Sequence, residues 1–279
     1  MQAFPTYRDL TLQQKLATIA RKHRRGHDPL TIKSFRSLQE FFKFPIREIS
    51  PKETYIEEEK KFAYELDRRT GRLYMHKNLE KTKPLQSAVT NRLLSQVKSN
   101  HAKLIKKLGL SANNQILFSD TSMMLIQAMP AEGGNTRLSP PSVDVIFTYA
   151  LRQLEGVMVE GSLLRLNSKN STLLEGVAIT WPRFQFPRGL KNFKLKSKTI
   201  LLEEIYQEVK KTMLKGDKIN VKMAVVLRPV HVARQLRFIP AMKVGVHSAQ
   251  GEAGNLFYVD LLSQRVPYET LQGRDTPEG

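Results

Sequence analysis

From Val143 onward, most apolar residues of this chain lie in short segments that are β-branched or alternate with polar side chains. A period of two is typical of strands that bury one face. Residues 199–214 interrupt these segments, because their apolar side chains recur three and four residues apart, as on one stripe of a helix. The pattern predicts an α+β fold whose C-terminal half is mostly antiparallel sheet.

The first half of the chain shows helical spacing instead. Residues 85–108 form the clearest predicted helix, and residues 10–25 predict an amphipathic helix whose last turn is basic. Residues 30–44 predict a second short helix that stops before Pro45. The N-terminal region is therefore predicted to be helical and basic.

A β-hairpin is predicted over residues 61–79, where two alternating runs flank a turn at Arg69-Thr70-Gly71. Residues 45–60 contain two prolines and three consecutive glutamates, and they predict a linker or turn. These patterns predict three regions: a basic helical N-terminal region at 1–60, an α+β core with a β-rich C-terminal half at 61–265, and a flexible tail at 266–279.

The charge of the chain is strongly positive and unevenly distributed. The formal net charge is +19, which indicates a polyanionic partner such as nucleic acid or an anionic membrane surface. Residues 1–50 carry ten Lys and Arg against four Asp and Glu, and residues 161–216 carry eleven against four. Residues 111–160 reverse the sign, with two against five.

Residues 181–198, hereafter the aromatic-basic segment, interleave cations with rings and contain no acid. Cations that track phosphates and rings that stack on bases are typical of a single-stranded nucleic-acid groove. Lysines that protect a solvated strand edge give the same pattern, so both interpretations stay open at this point. The predicted nucleic-acid contacts lie in this segment and at the basic end of the first helix: Arg183, Arg188, Lys191, Lys194, Lys196, Lys198, Arg21, Lys22, Arg24 and Arg25.

Several classes of site have no motif in this sequence. The chain has no cysteine, and its six histidines are scattered. His23 and His27 are four residues apart, but they lie in a basic run that disfavours a divalent cation, so no metal site is predicted. No P-loop, GxGxxG or GxSxG pattern occurs. We therefore predict a protein that is not an enzyme and has no cofactor. No apolar run approaches the length of a membrane span, and no signal-peptide core is present.

The order of elements in the C-terminal half resembles the thirty-kilodalton superfamily of plant virus movement proteins. The resemblance covers roughly residues 70–235 and depends on short motifs. It departs from the family pattern where members have an aspartate at the end of the strand at 161–168, because this chain offers only Asn167 or Asn170 nearby. The motifs follow one another along the chain: GRLYMHKNL at 71–79, an extended segment at 161–176, RFQFPRGLKNFKLKS as an aromatic-basic strand at 183–197, helical spacing at 199–214, a Lys-Gly-Asp-Lys turn at 215–218 and the strand INVKMAVVLRP at 219–229.

This resemblance, to a divergent member from a negative-strand RNA virus, implies a β-sandwich related to the jelly-roll capsid fold, with flanking helices. It implies non-specific binding of single-stranded nucleic acid, RNA rather than DNA, or of a ribonucleoprotein. It further implies homo-oligomers, peripheral association with anionic membrane, host plasmodesmal partners and cell-to-cell transport through plasmodesmata. In that fold Trp181, Phe184 and Phe186 pack in the core, and the cations remain the binding groups.

Three other functions are compatible with the same composition. A matrix-type structural protein of a negative-strand RNA virus would also be basic and would bind nucleocapsid and anionic membrane. An organellar ribosomal protein would use residues 12–25 as a presequence, although an ordinary surface helix is favoured there. A nucleic-acid enzyme comes last because no catalytic motif supports it.

Overall fold

The structure is a computed structural model. It describes these residues: 9–23, 38, 52–57, 62–67, 71–77, 91–108, 116–127, 142–169, 174–187, 194–212, 219–232, 235–248 and 254–263. The described helices are α1 Asp9–Lys22, α2 Asn91–Lys107 and α3 Lys198–Thr212. The described strands are β1 Lys52–Glu57, β2 Phe62–Asp67, β3 Arg72–Lys77, β4 Ile116–Ile126, β5 Ser142–Leu154, β6 Val157–Lys169, β7 Leu174–Thr180, β8 Ile219–Val232, β9 Gln235–Ser248 and β10 Asn255–Asp260.

The strands pair antiparallel with one exception, and helices flank the sheet, so the predicted α+β fold class is confirmed. The chain divides into two compact units. Unit one comprises residues 1–27, 154–161 and 184–279, and unit two comprises residues 28–153 and 162–183.

Unit two is an antiparallel sheet packed against α2. Its strands run in the order β1-β2-β3-β7-β6, and β5 pairs with both β6 and β4. Leu104 and Ile105 of α2 are buried with Leu164 and Leu166 of β6 and with Val177 of β7. The alternating residues of the strands thus supply one apolar face to the helix.

The hairpin β2–β3 is one of the confirmed elements of unit two, and its turn ends at Gly71. Gly71 has a φ of 70°, a conformation that glycine adopts without a steric penalty. A Cβ at this position would lie 2.4 Å from the carbonyl oxygen of Trp181, whose backbone N–H donates to the Gly71 carbonyl at 2.8 Å. Both conformation and close approach therefore require glycine here.

Unit one is built around the antiparallel strands β8, β9 and β10. The first residues of β6 pair with β8 in parallel, and Met158 lies opposite Val226. This is the one exception to antiparallel pairing among the described strands. Apolar residues of α3, including Leu201 and Ile205, are buried against Val244 of β9 and Val259 of β10. Of the stripe predicted on the helix, Leu201, Ile205 and Val209 are thus buried, whereas Ile200 is 53% exposed and Met213 lies outside the described residues.

Helix α1 also belongs to unit one. Leu16 and Ile19 are fully buried against Leu154 and Val157, at the start and end of the β5–β6 turn. The turn residues Glu155 and Gly156 have φ values of 48° and 80°, as a two-residue type I′ hairpin requires. The N-terminal helix predicted from residues 10–25 is confirmed and has a core role.

Several predicted boundaries need correction. Residues 45–60 are predicted as linker or turn, but β1 forms there because Lys52–Glu57 pairs with β2. Helix α2 is described from Asn91, and residues 85–90 of the predicted helix lie outside the described residues. At residues 194–197, the predicted strand at 183–197 reduces to one bridge, Leu195 to Leu262, among the described residues. The predicted helix at 30–44, apart from residue 38, and the turn at 215–218 lie outside the described residues.

A buried polar cluster links α2 to the sheet of unit two. His101 is 2% exposed, and its Nδ1 lies 2.7 Å from Thr148 Oγ1 while its Nε2 lies 3.0 Å from Ser168 Oγ. Neither partner is charged, so nothing offsets the loss of hydration that the imidazolium form would suffer. Burial accordingly lowers the pKa of His101 to about 4.

We expect His101 to make unit two sensitive to acid. Because its folded pKa lies below the unfolded value, the unfolded state binds more protons between about pH 6.5 and pH 4. The free energy of unfolding should fall by about 3 kcal/mol over that interval. Chemical denaturation across pH measures it.

The variant His101→Gln should lose this part of the pH dependence. Ser168→Ala is the matched control, since it removes a partner of the ring but leaves the imidazole buried. It should lower stability at every pH and keep the acid-dependent fall. Equal pH profiles for wild type and His101→Gln would contradict the assignment.

Candidate nucleic-acid interface

The aromatic-basic segment is described at residues 181–187 and 194–198, while Arg188, Lys191 and Phe193 lie outside the described residues. Residues 181–187 form no strand, which corrects the predicted strand at 183–197. Individual hydrogen bonds, instead of strand pairing, hold the segment in place. In unit one, Phe238 N–H of β9 donates to the Gln185 carbonyl at 2.9 Å, and Arg237 Nη1 donates to Gln185 Oε1.

Two rings of this segment, Trp181 and Phe184, lie in the core, while Phe186 is partly buried. Phe184 is fully buried in unit one, with ring centroids 5.0 Å from both Phe186 and Phe238. His23, just after α1, meets the edge of Phe184 at 5.8 Å. Buried rings have no face available for a base, so Phe184 is a packing residue, as the interpretation of these rings as core predicts.

Trp181 is likewise fully buried, within unit two. The Arg152 guanidinium carbon lies 5.4 Å from the indole centroid, and its Nη1 donates to the Pro182 carbonyl at 2.6 Å. Nε and Nη2 of Arg152 have no hydrogen-bond partner in the described part of the chain. Desolvation lowers the pKa of Arg152 to about 10, so the group stays charged at neutral pH. Sequence reasoning missed this residue.

Three cations of the segment are exposed to solvent, unlike the rings of Trp181 and Phe184. Arg183 is exposed in unit two, and Lys194 and Lys198 are exposed in unit one. Leu195 points to the core between them and bridges Leu262, while the Lys194 carbonyl accepts from Ser263 N–H at 2.8 Å. The bridge and the hydrogen bond at residues 194 and 195 therefore fix the positions from which the exposed lysine side chains extend into solvent.

Two of the predicted contact residues are engaged in ion pairs. Lys196 Nζ lies 2.5 Å from Glu204 Oε2 of α3, and the lysine side chain is only 18% exposed. Lys22, at the end of α1, lies 2.6 Å from Glu155 in the β5–β6 turn. Arg21 beside it is exposed, and Arg24 and Arg25 lie outside the described residues. A phosphate would have to compete with a carboxylate at Lys22 and Lys196.

An acidic groove of about 390 Å³ lies next to Lys196 in unit one. Its carboxylates repel a polyanion, so a nucleic-acid strand would not follow this side of α3. No group of three or more potential metal ligands occurs among the described residues. The groove is lined by Lys196, Glu203, Glu204, Glu208, Tyr258 and Asp260, among others.

A second polar cluster lies on the sheet of unit one, where sequence reasoning indicated nothing. Lys243 Nζ lies 2.8 Å from Glu160 Oε1, and the Arg228 guanidinium carbon lies 4.7 Å from the Tyr258 ring centroid. Burial alone would lower the pKa of Lys243, but the hydrogen bond and charge of Glu160 outweigh it and raise the pKa. Burial raises the pKa of Tyr258, and the negative charge of Glu160 raises it further. The positive charges of Lys243 and Arg228 lower it by less, so the pKa is raised overall.

Comparison with known proteins identifies no family. No family model matches the chain, and no curated protein matches it. Among solved structures, the Bacillus megaterium YpeB C-terminal domain aligns with 86% of this chain and 96% of its own, at 10% identity and a TM-score of 0.33. Such a score supports no conclusion about fold or function. No described helix is long and apolar enough to cross a membrane.

Replacing a ring of the aromatic-basic segment should cost stability. We expect Phe184→Ala to lower the free energy of unfolding by about 3 to 5 kcal/mol, because it leaves a cavity beside Phe238. Tyr206→Ala is the control, since Tyr206 is 53% exposed and its loss should cost less than about 1 kcal/mol. Urea denaturation measures both. A Phe184→Ala variant as stable as Tyr206→Ala would contradict the core assignment.

Proposed function

We propose that this chain is a nucleic-acid-binding protein that holds the phosphate backbone with surface cations and makes no stacking contact through Trp181 or Phe184. The observation that supports it is the division of the aromatic-basic segment, in which the rings of Trp181 and Phe184 are buried while Arg183, Lys194 and Lys198 are exposed. Rings in the core leave the cations as the groups that can meet a ligand.

The charge of the whole chain supports the same conclusion. A net charge of +19 draws polyanions from a distance and releases their counterions on contact. Such binding ignores sequence, because phosphates are the same at every nucleotide. Single-stranded RNA is the first ligand to test, since the resemblance to movement proteins implies it.

Transport is a further proposal that rests on that resemblance alone. The chain would bind viral nucleic acid or ribonucleoprotein, associate with anionic membrane at the cell periphery, and pass through plasmodesmata with host partners. That the chain is not an enzyme and has no cofactor also stays a prediction.

Binding should depend steeply on salt. If Arg21, Lys194 and Lys198 of unit one each meet one phosphate, affinity for a labelled single-stranded RNA should fall about twentyfold between about 50 and 200 mM salt. The double variant Lys194→Ala/Lys198→Ala should reduce the slope of log affinity against log salt by about 1.4. Fluorescence anisotropy titrations measure both.

Lys106→Ala/Lys107→Ala is the matched control, since it removes the same charge from exposed positions at the end of α2. Its slope should stay close to that of wild type. A flat salt response would refute phosphate binding, and equal slopes for the two double variants would refute the assigned segment.

Transport makes a separate prediction in living tissue. A fluorescent fusion expressed in single leaf epidermal cells should form foci at cell walls and spread into neighbouring cells. Diffuse signal confined to the expressing cell would contradict transport. Liposome flotation with spontaneous assembly, and no spread, would favour the matrix-type alternative.

A further inference from the structure

Strand β4 is an edge of the sheet in unit two, and its second half is unusually apolar for an exposed position. Among the described residues, β4 hydrogen-bonds to β5 alone. Met123, Met124 and Leu125 are 42%, 40% and 56% exposed, so neighbouring side chains on opposite faces are all open to solvent. An apolar edge of this kind is a template for pairing with another strand.

The backbone of β4 has hydrogen-bonding groups that β5 does not use. Thr121 N–H donates to the carboxylate of its neighbour Asp120 at 2.7 Å, instead of to β5. Alternate residues of an antiparallel strand direct their backbone groups to the same side, so those of Met123 also face outward. The pairing with β5 is regular from Phe118 to Met124, with irregularities only at the two ends.

Charge indicates which partner can approach this edge. Strand β4 has no Lys or Arg, and its only charge is Asp120. A polyanion gains nothing from such a surface. A second copy of this chain, repelled elsewhere by a net charge of +19, finds here a strand without cations inside the acidic stretch 111–160. The edge therefore suits a second copy better than nucleic acid.

We propose that two copies of this chain pair antiparallel along β4, about a two-fold axis at Met123. An antiparallel edge is self-complementary, so the same strand serves as both partners and the assembly closes as a dimer. Met123 then lies opposite Met123 of the second copy, and Met124 lies opposite Ser122. The exposed methionines become buried, and methionine adapts well to such contacts.

The charge of Asp120 constrains the register of this pairing. With the axis at Met123, Asp120 lies opposite Ile126 of the second copy, so the two carboxylates do not face each other. The outward N–H of Thr121 exchanges its bond to Asp120 for a carbonyl of the second copy. The pairing is independent of the nucleic-acid function and uses none of the cations assigned to it.

A disulfide trap tests the pairing directly, because the chain has no cysteine. Met123→Cys should form an intermolecular disulfide under mild oxidation, since residues opposite each other in a hydrogen-bonded antiparallel pair have Cα atoms about 5.5 Å apart. Leu256→Cys is the control, on the exposed face of edge strand β10. It should stay uncrosslinked. Non-reducing electrophoresis, after nuclease treatment in high salt, measures crosslinking of both variants. An uncrosslinked Met123→Cys would overturn the proposal.

Sedimentation velocity provides a readout without cysteine. Wild type should sediment as a dimer at micromolar concentration, and Met123→Lys should be monomeric because it places two cations opposite each other. Leu256→Lys adds the same charge and should remain dimeric. A monomeric wild type, or a dimer that survives Met123→Lys, would overturn the proposal. So would a monomer whose flotation with anionic liposomes is lost in Met123→Lys, because the edge would then be a lipid contact.

Discussion

The burial of two aromatic side chains, Trp181 and Phe184, is the constraint that holds residues 181–187 in place. Trp181 fills the core of unit two under the guanidinium of Arg152, and Phe184 fills the core of unit one beside Phe238. Arg183, which lies between these two rings in sequence, is directed to solvent. The basic surface is therefore a consequence of packing as well as of composition.

Charge is sorted over the described surface instead of spread evenly. Lys22 and Lys196 are paired with glutamates, and an acidic groove lies along α3. Strand β4 has no cation at all. A polyanion and a second copy of the chain can thus use different surfaces, because the cations that attract a polyanion repel a second copy, while β4 offers a polyanion no cation.

The sequence predicts elements that depend on local periodicity. Strand β8 begins at Ile219, and α3 buries Leu201, Ile205 and Val209 of the predicted stripe, because a period of two or 3.6 needs no knowledge of distant residues. The hairpin ending at Gly71 is predicted for the same reason. Strand β1 is missed because its glutamates and flanking prolines are typical of loops, and only pairing with β2 makes it a strand.

Much of the candidate site could not be predicted, because it depends on residues far apart in sequence. Arg152 at the end of an alternating strand resembles any solvated arginine until Trp181 and Pro182 enclose it. Lys196 resembles its neighbours in sequence, and Glu204 of α3 alone distinguishes it. Likewise, His101 has no polar partner near it in sequence, and only the packing of helix α2 brings it to Thr148 and Ser168.

The fluorescence of Trp181 tests the central claim most directly, because it is the only tryptophan and is fully buried. A titration with single-stranded RNA should follow binding by anisotropy of a label on the RNA while recording tryptophan emission and its quenching by acrylamide. We expect saturation of the RNA with an unchanged emission maximum and the same low quenching. Emission that shifts or is quenched in proportion to bound RNA would contradict it, because the ring would then contact the bases.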